Sequence, residues 1–293
     1  MDETANYGDL PEDYCRPDDA QIVVVPVPFD GTSTWKKGAD RGPQAIIDAS
    51  ANVELYDIET DSEVYLHGIF TDTPVDAGPS VDAMVTEVQQ RVGGHLERGK
   101  FVVTLGGEHS VSIGAVRAYA QEVPGLSVLQ LDAHSDLRAE YEGSENNHAC
   151  VMARIKEMCP IVQVGIRSMD IAEKAAMDPD RVFFAEDIHG RTAWIDQAVG
   201  LLSDKVYVTI DLDVFDPAIM PATGTPEPGG MMWYDVLALL WAVCRQKTVV
   251  GFDVVELCPV KNHWASDFLA VKLIYKLLSY CYRGGHEQRR TAQ

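Results

Sequence analysis

Short apolar runs rich in β-branched residues recur along the chain, and some are separated by longer stretches with apolar residues three or four positions apart. The short runs are bounded by Gly, Pro or charged residues, as buried strands are; they are Ile22–Val27, Phe101–Leu105, Leu126–Leu131, Ile161–Ile166, Val206–Leu212 and Val249–Val255. The longer stretches predict amphipathic helices over Val81–Leu96, Tyr234–Val243 and Phe268–Leu278. This alternation predicts an α/β fold with a mostly parallel sheet and helices on both faces.

No Pro-, Gly- or Ser-rich linker and no internal repeat divides the 293 residues, so we interpret 1–293 as a single domain. Residues 1–20 are polar and acidic, and we expect them to form a loosely ordered N-terminal extension. Two long loops, Pro28–Pro43 and Leu137–Asn147, follow predicted strands. Loops at the carboxyl ends of parallel strands commonly build active sites, so we expect the functional region there.

The charge of the chain narrows the class of partner. Its formal net charge is −21 at pH 7. A nucleic-acid binder needs a basic footprint, so we expect no nucleic-acid partner, and excess acid favours a small cationic substrate. No apolar run approaches the ~20 residues that span a bilayer, and the first residues lack the basic start and apolar stretch of a signal peptide. We therefore expect no membrane association and a cytoplasmic location.

Histidines and aspartates cluster where three of the predicted strands end. Asp132, His134 and Asp136 alternate in LQLDAHSD, and alternate side chains of extended backbone point the same way. Asp211 and Asp213 alternate in the same manner in VYVTIDLD, and His109 follows the Gly pair of TLGGEHS. Each motif alone has a structural explanation as a cap or a turn, but three of them at strand ends predict a metal site.

The composition of this cluster predicts two metal ions rather than one. Four carboxylates buried together are very costly unless cations neutralise them, and two divalent ions bring four positive charges. Carboxylate and imidazole ligands suit Mn²⁺, with Fe, Co or Zn as chemical alternatives. Because the set contains no thiolate, a structural zinc site is disfavoured.

Four motifs in order, GGEHS, LDAHSD, DLDVFDPAIMPATGTPEPGG and FDVVELCP, resemble those of the ureohydrolase family, which includes arginase and agmatinase. The early segment PVPFDGTSTWKKGADRGPQAI is also similar. The resemblance implies a three-layer α/β/α sandwich, two Mn²⁺ per subunit, urea release from a guanidino substrate, and a homotrimer or homohexamer. It also implies that His109, Asp132, Asp136 and Asp213 serve one metal or bridge, with His134, Asp211 and the bridging carboxylates at the other.

The resemblance extends to residues that would act on the substrate. His148 matches the family's loop histidine and suits a proton shuttle to the leaving amine. Glu256 matches the guanidinium-binding carboxylate. Asp136 would bridge the metals and relay the proton released by the nucleophile. Cys150 as a nucleophile is a weaker alternative, and Thr225 and Glu227 either line the pocket or shape a turn.

The substrate's tail is predicted from one loop. Glu140, Glu142 and Glu145 fit a cationic amine, which favours agmatine, whereas Arg138 would suit a carboxylate. N1-aminopropylagmatine, guanidinobutyrate and arginine remain alternative substrates. Two rival functions are a metal-dependent deacetylase or other amide hydrolase on a related fold and a non-catalytic ligand-binding member of the family; the first would lack Glu256, and the second would be expected to lose a ligand or His148.

Overall fold

The computed structural model of the chain describes residues 6–78 and 80–283. In this part of the chain, one sheet contains eight strands in the order β2-β1-β3-β8-β7-β4-β5-β6, and all neighbours run parallel. The strands are β1 (Ile22–Val27), β2 (Ile69–Thr71), β3 (Phe101–Gly106), β4 (Leu126–Leu131), β5 (Ile161–Ile166), β6 (Val182–Phe184), β7 (Lys205–Asp211) and β8 (Thr248–Val255).

The connections between strands contain helices of very different lengths. The α-helices are α1 (Gly42–Ser50), α2 (Val81–Leu96), α3 (Val111–Glu122), α4 (Val151–Lys156), α5 (Ala185–Ile188), α6 (Ala193–Leu201), α7 (Trp233–Gln246) and α8 (Ala265–Cys281). Short 3₁₀ helices lie at Tyr7–Asp9, Glu12–Tyr14, Ala39–Arg41, Val64–His67, His148–Cys150, Ile171–Ala175, Pro179–Arg181 and Leu212–Val214.

The helices cover both faces of the sheet. Side chains alternate between the two faces along each strand, so neighbouring residues of one strand pack against different helices. On β1, Ile22 and Val24 pack in a core with residues of α1, α5, α6, α7 and α8. Val23 and Val25 of the same strand pack in a second core with residues of α2, α3 and α4. The predicted three-layer α/β/α sandwich with a parallel sheet is therefore confirmed.

The six predicted strands are confirmed to within one residue at each end, and the helix over Val81–Leu96 has the bounds that its periodicity predicts. The strands that the sequence did not predict, β2 and β6, have three residues each and form the two edges of the sheet. A run of three residues is too short to show a strand pattern.

The first described residues pack against the domain, which differs from the loose order expected for residues 1–20. Tyr7 is fully buried, and its hydroxyl donates to the carbonyl of Val271 in α8 (2.9 Å). Its main-chain N–H donates to Thr71 Oγ1 at the end of β2 (2.8 Å). Residues 1–5 lie outside the described part of the chain. Within that part, none of the helices has the length and apolar character needed to cross a membrane.

Candidate metal centre and active-site cavity

Four neighbouring strands in the middle of the sheet, β3, β8, β7 and β4, bring the candidate site residues together at their carboxyl ends. The chain crosses from β3 to β4 over the two strands between them, and a crossover of this kind opens a crevice where α/β proteins bind ligands. The residues at this crevice are His109 after β3, Asp132, His134 and Asp136 after β4, Asp211 and Asp213 at β7, and Glu256 after β8.

Unusual backbone conformations place several of these side chains. A Cβ atom at Gly107 would overlap the carbonyl oxygen of Phe29, so glycine lets the loop after β1 lie against the turn after β3. Asp136 (φ +52°) and Glu256 (φ +66°) are left-handed, which is uncommon for residues other than glycine. Both are held by main-chain bonds: the Asp136 carbonyl accepts from Met152 N–H (3.0 Å), and Glu256 N–H donates to the Gly107 carbonyl (2.8 Å).

The ligand carboxylates are also fixed by neighbouring main-chain N–H groups. Asp132 Oδ1 accepts from His134 N–H (2.6 Å), Asp213 Oδ1 from Ala133 N–H (3.0 Å), and Asp211 Oδ1 from Asp213 N–H (2.8 Å). The second oxygen of each carboxylate lies close to a histidine Nδ1, and Oδ1 of Asp132 also lies 3.6 Å from His134 Nδ1. Folding of the two strand ends therefore orients the carboxylates before any ion binds.

Two groups of side chains could each hold a cation, and they are called here the first and second cation groups. The first cation group surrounds His109. Its Nδ1 atom lies 3.1 Å from Asp132 Oδ2, 3.0 Å from Asp136 Oδ2 and 3.5 Å from Asp211 Oδ2. His109, Asp132 and Asp211 present ligand atoms close enough together to share one ion.

The second cation group surrounds His134. Its Nδ1 atom lies 2.9 Å from Asp213 Oδ2 and 3.6 Å from Asp132 Oδ1. The geometry groups these residues differently from the division that the sequence resemblance implies, because Asp211 lies with His109 and Asp213 with His134. Asp132, rather than Asp136, places one oxygen beside each histidine and is positioned to bridge.

The hydrogen-bond partners of His109 fit a metal ligand. Its Nδ1 is buried and makes no hydrogen bond to the residues that the structure describes, although three carboxylates surround it. On the opposite side of the ring, Nε2 lies 2.9 Å from Thr209 Oγ1, whose proton is donated to Asp253 (2.7 Å). Thr209 must therefore accept from Nε2–H, which leaves the lone pair of Nδ1 facing the carboxylates.

The electrostatics of the cluster also call for cations. Burial raises the pKa of Asp136 to about 7, with a further contribution from the charge of Asp132. Burial, followed by the charge of Glu108, raises the pKa of Glu256 to about 8, and burial raises that of Asp211 well above its usual value. These carboxyl groups cannot all ionise near neutral pH unless positive charge is added, which two divalent ions would supply.

A cavity of about 280 Å³ opens onto both cation groups. It contains His148, Glu256 and Thr225, as well as His109, His134, Asp136, Asp211 and Asp213 from the ligand set. Glu227 contributes its main-chain carbonyl to Arg167 (2.9 Å) and so shapes the adjoining loop. Burial raises the pKa of the Cys150 thiol to about 11, which leaves it protonated and unsuited to act as a nucleophile.

The acidic residues of the loop after Asp136 do not lie at the cavity, where they would have to be to bind the cationic tail of the substrate. Glu140, Glu142 and Glu145 are exposed, and none belongs to the lining of this cavity in the described structure. Asp170 and Glu173, which follow β5, line it instead. Neither residue was predicted from the sequence, although polar residues that follow a predicted strand, here β5 next to the sheet edge, were a usable signal.

The parallel α/β/α fold and its paired His–Asp groups define an α/β protein whose side chains could hold metal ions at the carboxyl ends of central strands. A sequence profile described as the arginase family matches residues 20–279. The chain belongs to this family of ureohydrolases.

Similarity to individual relatives extends over almost the full length. The chain is 40% identical over 284 residues to N(1)-aminopropylagmatine ureohydrolase of Synechocystis sp., covering 93% of this chain and 92% of the relative. It is 34% identical over 278 residues to agmatinase of Pyrococcus horikoshii, covering 90% and 93%. The crystal structure of agmatine ureohydrolase of Thermoplasma volcanium superposes with a TM-score of 0.85 at 31% identity, covering 97% of each chain.

Proposed function

We propose that the chain hydrolyses a guanidino compound with a cationic amine tail and releases urea. The observation that carries the proposal is the placement of Glu256 beside the two cation groups. One carboxylate oxygen accepts from His109 N–H (2.8 Å), and the carboxylate lines the cavity. A planar guanidinium presents N–H groups that match a carboxylate, so Glu256 would bind the group whose carbon is attacked.

The remaining chemistry divides among residues of the same cavity. His109, Asp132, Asp136 and Asp211 would hold one divalent ion, and His134, Asp132 and Asp213 the other, with Mn²⁺ as the proposed metal. Two such ions supply a water-derived nucleophile near neutral pH. Asp136 would accept the proton that the nucleophile loses, and His148 would give a proton to the leaving amine.

The proposal of a cationic tail rests on Asp170 and on relatives. The Asp170 carboxylate is partly exposed at the cavity. The Arg138 guanidinium lies over the Tyr141 ring (4.4 Å), 3.7 Å from Asp170 and 3.9 Å from Glu173. Arg138 also lines the cavity, but two acids oppose its one positive charge, so the three side chains carry a formal net charge of −1 that favours a cationic tail over a substrate carboxylate. Of the two candidate amines, N1-aminopropylagmatine is favoured over agmatine because it appears in the name of the 40% identical relative.

Urea release from a panel of guanidines in the presence of MnCl₂ tests this function. We expect kcat/KM for N1-aminopropylagmatine or agmatine to exceed that for arginine and guanidinobutyrate by at least about tenfold, since a hydrogen bond to a charged group contributes about 1.5–3 kcal/mol. Preference for arginine or guanidinobutyrate would refute the cationic tail. Release of urea from no member of the panel would favour a non-catalytic ligand-binding protein.

The variant Asp170→Asn tests binding of the substrate's tail without disturbing the local fold. Ala172 N–H donates to the Asp170 carboxylate (2.9 Å), and the amide oxygen of Asn can accept the same hydrogen bond. We expect kcat/KM for the cationic substrate to fall about tenfold or more. Glu140→Gln removes an exposed acid of the same sign and serves as the matched control. Equal losses in both variants would indicate a general effect of net charge.

We also propose that the chain assembles as a homotrimer or homohexamer. The support is the resemblance of its motifs to ureohydrolases. Light scattering coupled to gel filtration would give the mass of the particle, for comparison with a protomer of 32.2 kDa. A monomer would contradict this proposal and leave the proposed chemistry unaffected.

A further inference from the structure

Glu108 is a fully buried carboxylate that the proposed chemistry does not use. It precedes the metal ligand His109 and collects hydrogen bonds from the loop after β1. Its oxygens accept from Thr32 N–H (2.6 Å), Thr32 Oγ1 (2.6 Å), Ser33 N–H (2.8 Å), Ser33 Oγ (3.3 Å) and Ser110 Oγ (2.6 Å). Five donors around one carboxylate satisfy its charge and fix the loop against the turn after β3.

Thr32 connects this carboxylate to His148. Its hydroxyl has a single proton, and the 2.6 Å contact to Glu108 lies in the range of an O–H···O⁻ bond. The hydroxyl oxygen is then left only as an acceptor, and two nitrogens of His148 approach it. The main-chain N–H of His148 donates at 3.0 Å, and the ring Nδ1 lies at 3.1 Å.

This arrangement determines which ring nitrogen of His148 carries the proton. Because the Thr32 proton is committed to Glu108, the short Nδ1 contact is a hydrogen bond only if Nδ1 is protonated. The neutral ring is therefore the Nδ1–H tautomer, with its lone pair on Nε2. His148 lines the cavity, so Nε2 is the nitrogen that can exchange a proton there.

We propose that Glu108 and Thr32 are positioning residues that hold His148 in the Nδ1–H tautomer, with Nε2 as its proton-transfer atom. The inference rests on the proposed function, in which His148 protonates the leaving amine. When Nε2 gains a proton, the ring becomes imidazolium with both N–H groups intact. When Nε2 gives that proton to the amine, the neutral Nδ1–H ring returns, and Thr32 keeps its hydroxyl proton throughout.

Thr32→Val removes the hydroxyl with little change in shape, and the loop stays tied to Glu108 by the N–H groups of Thr32 and Ser33. We expect kcat to fall about 100-fold, because general acid–base catalysis typically contributes 10²–10⁴-fold and the wrong tautomer forfeits it. KM and metal content are expected to stay within about twofold. Thr32→Ser keeps the hydroxyl and is expected to retain kcat within about threefold.

A double-mutant cycle separates positioning from a structural role. In a His148→Asn background, Thr32→Val is expected to cause no further loss of kcat, because the residue on which it acts is gone. Equal kcat for the Val and Ser variants, or a full additional loss in the His148→Asn background, would overturn the inference.

The tautomer can also be read without any substrate. Long-range ¹H–¹⁵N spectra of histidine-labelled protein loaded with diamagnetic Zn²⁺, with His148 assigned by its absence in His148→Asn, should show an Nδ1–H ring in the wild type and lose that state in Thr32→Val. An Nε2–H ring in the wild type would overturn the inference. If the wild type released no urea from any guanidine, the proposed function would fail while this spectrum still decided the tautomer.

Discussion

Arg167 donates a hydrogen bond from Nη2 to the main-chain carbonyl of Asp213 (2.6 Å), which ties the end of β5 to the metal-ligand turn after β7. The same guanidinium donates to the carbonyls of Gly165 (3.1 Å) and Glu227 (2.9 Å). A planar group with five N–H donors can join three segments in this way, which a lysine ammonium cannot reproduce. Arg167 therefore supports the second cation group by holding the main chain of Asp213, and not by contacting the carboxylates that would bind the ion.

Replacing Arg167 by Met should loosen that turn. We expect the affinity for Mn²⁺ to fall about 10–100-fold, as is typical when a group that orients a ligand is lost, together with a lower melting temperature. Isothermal titration of the chelated protein measures the first effect. Arg181→Met is the matched control, because Arg181 donates to the carbonyl of Leu201 near the sheet edge (3.2 Å). Unchanged metal affinity in the Arg167 variant would contradict this role.

The Thr209 hydroxyl links His109 to the buried Asp253 carboxylate and thereby fixes the His109 tautomer. Thr209→Val should weaken Mn²⁺ binding about 10–100-fold, because Nε2–H loses its acceptor and Nδ1 is no longer held as the free lone pair. Thr209→Ser keeps the hydroxyl and should bind the metal almost as wild type. Equal affinities for the Val and Ser variants would show that the hydroxyl has no part in orienting His109.

Removing the metal should make stability fall as pH rises. The folded pKa values of Asp136, about 7, and Glu256, about 8, lie above the value of about 4 for unfolded carboxyls. Proton binding therefore stabilises the chelated fold fully below pH about 4, and this contribution is lost as pH rises through about 7–8. Cations replace those protons, so the rise in melting temperature on adding MnCl₂ should grow between pH about 5 and about 8. If the rise in melting temperature on adding MnCl₂ became smaller between pH about 5 and about 8, the idea that cations replace these protons would be contradicted.

Glu256→Gln should separate guanidinium binding from metal binding. The amide oxygen can still accept from His109 N–H, whereas the amide N–H₂ group opposes the substrate's own donors. We expect KM to rise and kcat to fall, with kcat/KM reduced about 10–100-fold, while metal content measured by mass spectrometry stays unchanged. Glu227→Gln, whose described interaction is through its main chain, is the control. Loss of metal in Glu256→Gln would refute its assignment to the substrate.

The sequence predicted much of the site because the ligands follow strands whose pattern is clear. Once the ends of β3, β4 and β7 are located, the residues that follow them, such as His109 and Asp132, are expected at one edge of the sheet, because the carboxyl ends of parallel strands meet there. Alternation does not place Asp136 and Asp213, since Asp136 is left-handed and Asp213 lies in the 3₁₀ helix Leu212–Val214. The division of these residues between the two cation groups could not be predicted. It depends on the order of the strands in the sheet and on which oxygen of Asp132 accepts a hydrogen bond from a main-chain N–H. The tail acids were misassigned for a similar reason: exposure of Glu140 is a tertiary property, and charge in a loop does not reveal it.

Several helices were not predicted from the sequence, either because they are buried on all sides or because they are too short to show a helical period. In α3, residues from Val111 to Val116 are all buried, so no polar face marks a helical period. The helix α5 has four residues, and α4 has six, too few for periodicity to be read. By contrast, α2 has one buried face and an exposed opposite face, and its predicted bounds match the structure.

Stepwise addition of MnCl₂ to chelated protein, with urea release and bound metal measured on the same samples, tests the central claim most directly. The account predicts no urea from N1-aminopropylagmatine or agmatine without metal, and activity that rises as bound Mn²⁺ approaches two ions per chain. Urea release that persists after complete chelation, or a chain that binds two ions and releases urea from no guanidine, would contradict it.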